Sequence, residues 1–306
     1  MTSARRPLPT DIVALVSFDG RVYPNEAKPL DRLGADSDKP HALEAALEQW
    51  FSFATGKHTW VSVRGATIQG LVSARPRSKR SAWEVEVLIN TTDDDAITES
   101  LLARMLSGIG KQGAERVFLR VATDSPVKEA ARAAGFFAYT TETLFRRPAL
   151  PPPAAVDSPL RAKTKADAMA IYQLYSDAVP ANVRAIEGAT FREWQAAQEK
   201  WGGRSTELLT GGVDSLCGWT RVMADGPSRI AALSTGSYDY LMAAGLQVLG
   251  EREVFCLAPQ HAPGLTSALV RVGFGPVGDF ETLAKRLART VEELSPESAK
   301  KAIPVS

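Results

Sequence analysis

The strongest constraint on this 306-residue chain is that it repeats itself across a proline-rich seam. Glu115–Val121 reads ERVFLRV and has a counterpart in Glu251–Leu257, EREVFCL. Ala130–Phe136 pairs with Ala268–Phe274, each ending in Gly-Phe, and Thr141–Leu144 pairs with Phe280–Leu283, each ending in Glu-Thr-Leu. Val117 to Val254 spans 137 residues, Gly135 to Gly273 spans 138, and Glu142 to Glu281 spans 139. Three separate matches at nearly one offset point to two copies of one fold. Between them, residues 148–159 hold five prolines, which disfavour helix and sheet ladder alike and favour an extended spacer. The expected organisation is a first copy over 1–147, a linker over 148–159 and a second copy over 160–306. Each copy has the length of an ordinary domain, about 150 residues.

Hydrophobic periodicity orders the elements within each copy. In the first, Leu43, Ala46, Leu47, Trp50 and Phe51 predict a helix over 42–54. Residues 59–63, 67–74 and 82–89 alternate as three successive strands, with Gly65 and the 76–81 segment as their turns. A helix over 94–110 follows, apolar at Ile97, Leu101, Leu102, Met105 and Ile109. Then come a strand over 116–121, a helix over 126–134 and a pair of strands over 136–145. The second copy repeats the order. Its helices fall in 165–178 and 190–201, and its strands in 206–211, 214–223 and 228–234. A helix over 237–249, a strand over 252–257, a helix over 263–272 and a short end section follow. Helices, then antiparallel strands, then strand-helix-strand, imply an α/β (α+β) class: a mixed, mostly antiparallel sheet flanked by helices.

Composition removes several functional classes. Thirty-six Lys and Arg against 35 Asp and Glu leave a net charge of +1, so no general attraction to nucleic acid or anionic membrane follows. Two cysteines, Cys217 and Cys256, make no disulfide framework, and three scattered histidines, His41, His58 and His261, make no metal motif. No run of about 18 apolar residues exists to span a membrane. After Arg5 and Arg6, the apolar stretch 12–18 lacks a small-residue cleavage site. A cytoplasmic protein with reduced thiols is the expectation.

The element order, with Gly135-Phe136 and Gly273-Phe274 just after the last helix of each copy, resembles the GNAT N-acyltransferase superfamily, in which tandem pairs are known. The resemblance implies a V-shaped slot, between two splayed strands, that holds the arm of an acyl-CoA. It also implies an Arg/Gln-x-x-Gly-x-Gly/Ala loop for the diphosphate at the next helix start, a Glu or water as base, and a Tyr that protonates the leaving thiolate. In the first copy the loop positions fall on Asp95, Ala96, Ile97 and Thr98, inside the acidic run Asp93–Asp95. Carboxylates cap a helix N-terminus well and would repel a diphosphate there. In the second copy they fall on Thr235, Gly236, Ser237 and Tyr238, so Ser234, Thr235, Gly236 and Ser237 are the candidate cofactor-binding residues for acetyl-CoA or another acyl-CoA, with Arg221 and Arg229 near in sequence. The positions of the family tyrosine hold Ala131 and Leu269, neither of which can donate a proton.

Outside that resemblance, Glu84 and Glu86 alternate on one face of a predicted strand and stand as candidate general bases; a solvated face opposite Arg75 or Lys79 is the plainer account. Arg75, Arg77, Lys79 and Arg80 form a basic turn near Trp83, a recognition patch or simply a charged hairpin tip. Trp194 and Trp201, with Tyr172 and Tyr175, are expected to pack a core or line a pocket. Cys217 and Cys256, in apolar strands without a neighbouring His, are expected to be core residues. Two functions from different classes follow. One is a divergent N-acyltransferase acting on a small amine or peptide amine, with any cofactor site in the second copy. The other is a catalytically silent tandem GNAT-like pair that binds a ligand or partner.

Overall fold

The computed structural model describes residues 3–11, 23–34, 58–65, 67–92, 94–154, 160–212 and 215–288. The predicted 42–54 helix lies outside them. Among the described residues one mixed sheet of twelve strands forms. The first half contributes β1 (Ser3–Arg5), β2 (His58–Arg64), β3 (Thr67–Pro76), β4 (Ala82–Asn90), β5 (Arg116–Ala122) and β6 (Phe137–Arg147). The second contributes β7 (Leu160–Ala162), β8 (Ser205–Thr210), β9 (Gly218–Met223), β10 (Ser228–Ser234), β11 (Val254–Pro259) and β12 (Gly275–Arg286). Helices α1 (Asp95–Gly110) and α2 (Lys128–Ala133) belong to the first half. Helices α3 (Ala168–Ala178), α4 (Ala181–Glu187), α5 (Phe191–Ala197), α6 (Asp239–Leu249) and α7 (Pro263–Arg271) belong to the second.

The strand order is β1-β2-β3-β4-β5-β12-β6-β11-β10-β9-β8-β7. Read from either edge it names corresponding strands of the two halves, except that the last strands have changed places: β12 lies beside β5, and β6 beside β11. The β6–β12 register carries the same symmetry, since Thr141 faces Glu281 and Glu142 faces Phe280. Those two pairs interchange under the 139-residue repeat. The expected pair of strands over 136–145 is therefore one long strand, and the expected short end section is a twelve-residue one. Each finds its partners across the repeat instead of in a local hairpin.

Side chains follow the exchange. All five apolar positions expected on α1 are buried and pack with Trp60, Leu88, Val117 and Leu119. Leu283 from β12 completes that core. Phe145 from β6 is buried with Met242, Leu246, Leu265 and Leu269 in the core of the second half. Neither core closes without the other half's last strand. The linker docks as well: Arg147 donates to the carbonyls of Val272 (2.9 Å), Leu150 (2.9 Å) and Pro151 (2.6 Å).

Two further expectations need correction. Residues 190–201 are not one helix; α4 was missed, and α5 ends before Trp201. Gly188 separates α4 from α5, because a Cβ there would meet the Trp194 backbone at 2.3 Å. The basic turn is a solvated hairpin tip only at Lys79 and Arg80, which are exposed. Arg75 and Arg77 are buried, Arg77 donates to the Ala197 carbonyl (3.0 Å), and the Lys79 amide donates to Ala196 (3.4 Å), so the turn brackets α5. Trp83 is buried and donates to the Arg80 carbonyl instead of offering a stacking face.

Candidate functional site

Each half contains a pair of parallel strands that meet and then splay. In the first, β4 and β5 are paired only at Ala82–Arg116, Trp83–Val117 and Glu84–Phe118. In the second, β10 and β11 are paired only at Ser228–Val254 and Arg229–Phe255. Beyond those pairs the facing strand edges lack a neighbour, and their backbone groups must be satisfied by something else.

In the first half that something is the chain itself. The Glu26 amide donates to Leu88 O (2.9 Å) and the Lys28 amide to Arg120 O (2.8 Å), so residues 25–28 bridge β4 and β5 as an extended strap. The Asn25 side chain donates to Glu86 O (3.1 Å) and accepts from the amides of Leu88 (2.9 Å) and Ala27 (3.1 Å). Ala27 is buried in the core. At the head of α1 the expected helix capping is present: Asp94 accepts from the Ala96 amide at 3.0 Å. Asp93 lies outside the described residues.

The second-half slot has no such strap among the described residues. It opens into a cavity of about 950 Å³ bounded by Ile230–Leu233 of β10, Phe255 and Leu257 of β11, and α3 and α5. At the head of α6, Ser234 Oγ accepts from the Gly236 amide (3.0 Å) and donates to Cys217 O (3.1 Å), fixing a tight turn. Thr235, Gly236 and Ser237 are exposed, and a Cβ on Gly236 would touch nothing. Asp239, next in the helix, is paired with Arg271. The edge of β10 beyond Arg229 and the turn at Gly236 are thus both open among the described residues. Arg221 and Arg229 do not assist that turn. Arg229 lies five residues back along β10, roughly 16 Å away, and both face the cavity.

Glu84 and Glu86 do share a strand face, but it is buried and ion-paired, not solvated. Arg75 binds Glu84 (2.7 Å), Glu86 (3.2 Å) and Asp31 (2.7 Å); Arg77 binds Glu84 (3.2 Å) and Glu199 (2.8 Å); Arg32 binds Glu86 (2.9 Å). Neither Glu84 nor Glu86 lines the cavity. Arg120 continues the network to Glu142 (2.7 Å) and Glu199 (3.0 Å).

Sequence reasoning missed Glu187, the last residue of α4. It lines the cavity and accepts from Tyr175 (2.9 Å) and Tyr139 (3.1 Å). Burial raises its pKa to about 7, against the lowering effect of the Tyr175 hydrogen bond. A lone Glu between Ile186 and Gly188 carries no motif, so only the packing of α4 on β6 reveals it. Tyr172, Tyr175, Phe191 and Trp194 form an aromatic cluster beside it, as expected of pocket-lining residues. His261 lines the cavity too; burial lowers its pKa, and its Nδ1 has no partner. Ala131 and Leu269 are fully buried. Cys256 is buried with its thiol pushed up to about 12, a core residue as expected, whereas Cys217 is exposed. Among the described residues no cluster of His, Cys, Asp or Glu is placed to hold a metal, and no helix is long and apolar enough to cross a membrane.

No family model and no curated protein matches the chain. Solved structures do. The GCN5-related N-acetyltransferase from Sphaerobacter thermophilus aligns over 93% of this chain and 95% of its own, with a TM-score of 0.57 at 15% identity. A tandem GNAT protein from the clavulanic acid biosynthesis pathway aligns over 95% of this chain and 100% of its own, with a TM-score of 0.52 at 13% identity. Strand order, paired slots and these likenesses agree that the chain has the fold of the GNAT superfamily, built as a tandem pair.

Proposed function

We propose that the chain is an N-acyltransferase that takes an acyl-CoA in the second-half slot and a small amine or peptide amine in the central cavity, with Glu187 as general base. The observation that carries this reading is the contrast between the slots: one is filled by residues 25–28, the other opens onto the cavity that Glu187 lines. The acyl-CoA supplies an activated thioester carbonyl. The backbone edge of Ile230–Leu233 holds its extended arm, and Ser234, Thr235, Gly236 and Ser237 receive its diphosphate. An amine arrives as an ammonium and must lose a proton before it can attack. A carboxylate with a pKa of about 7 is half ionised at neutral pH and suited to taking that proton. The C–N bond forms as the C–S bond breaks, the nitrogen's surplus proton passes to water, and the leaving sulfur takes a proton back from water, because Ala131 and Leu269 carry no donor. Glu84 and Glu86, bound by arginines, brace the wall of the site and leave the base role to Glu187.

A second reading, ligand binding without turnover, is favoured by the missing hydroxyl at Leu269. One experiment separates the two. Acetyl-CoA and longer acyl-CoAs are titrated while thermal unfolding is followed; at about 100 times the dissociation constant a bound ligand adds roughly 2.7 kcal/mol. Gly236→Asp is expected to remove the shift. Glu187→Gln is expected to keep it while kcat/KM falls about 10²–10⁴-fold and the rise in rate through pH 7 disappears. Stabilisation without turnover on any amine selects the second reading, and no shift with any CoA ends both as CoA-dependent functions.

A further inference from the structure

The arginines around the cavity divide into two kinds. Arg77 and Arg120 are held by carboxylates. Among the described residues no carboxylate pairs with Arg221 on β9 or Arg229 on β10. Arg229 is only 3% exposed, yet among the described residues it donates only to main-chain carbonyls, those of Leu33 (2.7 Å), Asp31 (2.8 Å) and Trp201 (3.4 Å), and its Nε finds no partner there. Arg221 donates through Nε to Ser205 Oγ (2.9 Å) and lays its guanidinium over the Trp201 ring, 4.4 Å from the centroid.

The nearby carboxylates are committed elsewhere. Glu207, which faces Arg221 in the β8–β9 register, accepts from Lys163 (2.8 Å) and from the Trp219 indole (2.8 Å). Asp31 is held by Arg75 at 2.7 Å. Arg221 faces Ala231, and Arg229 is two residues from Ala231 along β10. Strand alternation therefore places the two arginines as diagonal neighbours on one face. Ile230 and Val222, on the opposite face, pack under α6. A guanidinium out of bulk water without an anion is costly, and burial pulls both arginines' pKa values down. Stacking on Trp201 fixes the plane of Arg221, an arrangement that suits planar, bidentate recognition of a carboxylate.

We infer that the cavity binds a carboxylate of the substrate at Arg221, with the charge of Arg229 behind it. This rests on the acyltransferase reading for its amine end and extends it to a substrate class. Leu233 packs in the Tyr175–Trp194 cluster beside Glu187 and lies two residues from Ala231, which faces Arg221, so Arg221 is one strand over and roughly 7 Å along from it. Amine and carboxylate are thus held on the order of 10 Å apart. An ω-amino acid or a short peptide spans that distance; a simple α-amino acid does not.

The test compares 6-aminohexanoate with its neutral amide, and succinyl-CoA with acetyl-CoA, by calorimetry on the full chain. The expected result is at least tenfold tighter binding of 6-aminohexanoate than of the amide, lost in Arg221→Gln and partly kept in Arg221→Lys. A tenfold preference for succinyl-CoA, lost in the same variant, puts the carboxylate on the acyl chain and also supports the site. Neither preference in wild-type protein that binds acetyl-CoA overturns the inference and leaves the cofactor slot standing. Preference for 6-aminohexanoate without any CoA binding keeps the carboxylate site and removes the acyltransferase reading.

Discussion

The two splayed strand pairs hold corresponding places in the strand order and are filled differently. Between β4 and β5 the chain has laid its own residues 25–28, so the backbone groups of Leu88 and Arg120 are satisfied and Ala27 is locked in the core. Between β10 and β11 the edge of Ile230–Leu233 faces a cavity. The first slot has become a joint. From it the strap runs on to Asp31 and Leu33, whose carbonyls bind Arg229, and Leu33 packs with Phe255 of β11. One segment thus fills one slot and walls the other, which explains how a slot in the first half can be lost while the second remains open.

The comparison can be broken in four ways. Leu283→Ala, which empties the place where β12 completes the first core, is expected to lose about 2–5 kcal/mol in denaturant unfolding. A first core indifferent to that change would end the claim that the halves depend on each other's last strands. Asn25→Ala strands the Leu88 amide and the Glu86 carbonyl inside the filled slot and is expected to cost about 1–3 kcal/mol. Acetyl-CoA stoichiometry in that variant should stay at one per chain, and a second bound equivalent would mean that the strap alone hides a working site. Asp94→Ala removes only a helix cap, about 1 kcal/mol, and should leave acyl-CoA binding untouched, whereas Gly236→Asp at the matching turn should not.

The remaining test is a pH slope. Burial raises Glu187 from 4.5 to about 7, so the folded state holds its proton more tightly than the unfolded chain does. That contribution to stability is complete below about 4.5 and is lost as pH rises through about 7. Unfolding free energy measured across this window should decline in wild type and decline less in Glu187→Gln.

Much of this molecule was legible in local pattern. The three-strand runs, the buried stripe of α1 and the positions of β5, β10, α6 and α7 follow from periodicity, because each element buries the face its own spacing declares. The acidic start of α1 announced its cap. The candidate site was less legible. Ser234–Ser237 was located by its place after β10, but Glu187, the strap at residues 25–28 and the unpaired Arg221 carry no motif. Within the basic turn Arg75 and Arg77 were misread, because charge in a sequence looks solvated until a partner such as Glu84 or Glu199 is brought to it.

By itself the sequence pointed to two copies and to most of their elements and order, since those depend on residues within one or two turns of each other. Tertiary structure decided which strand each last strand would join, which slot would be filled and which charges would be left over. Those outcomes depend on hydrogen bonds and ion pairs between residues 60 to 200 apart, as in Asn25 with Glu86 or Arg229 with Asp31. An alternating pattern says which face is buried, and it is silent about what lies against that face.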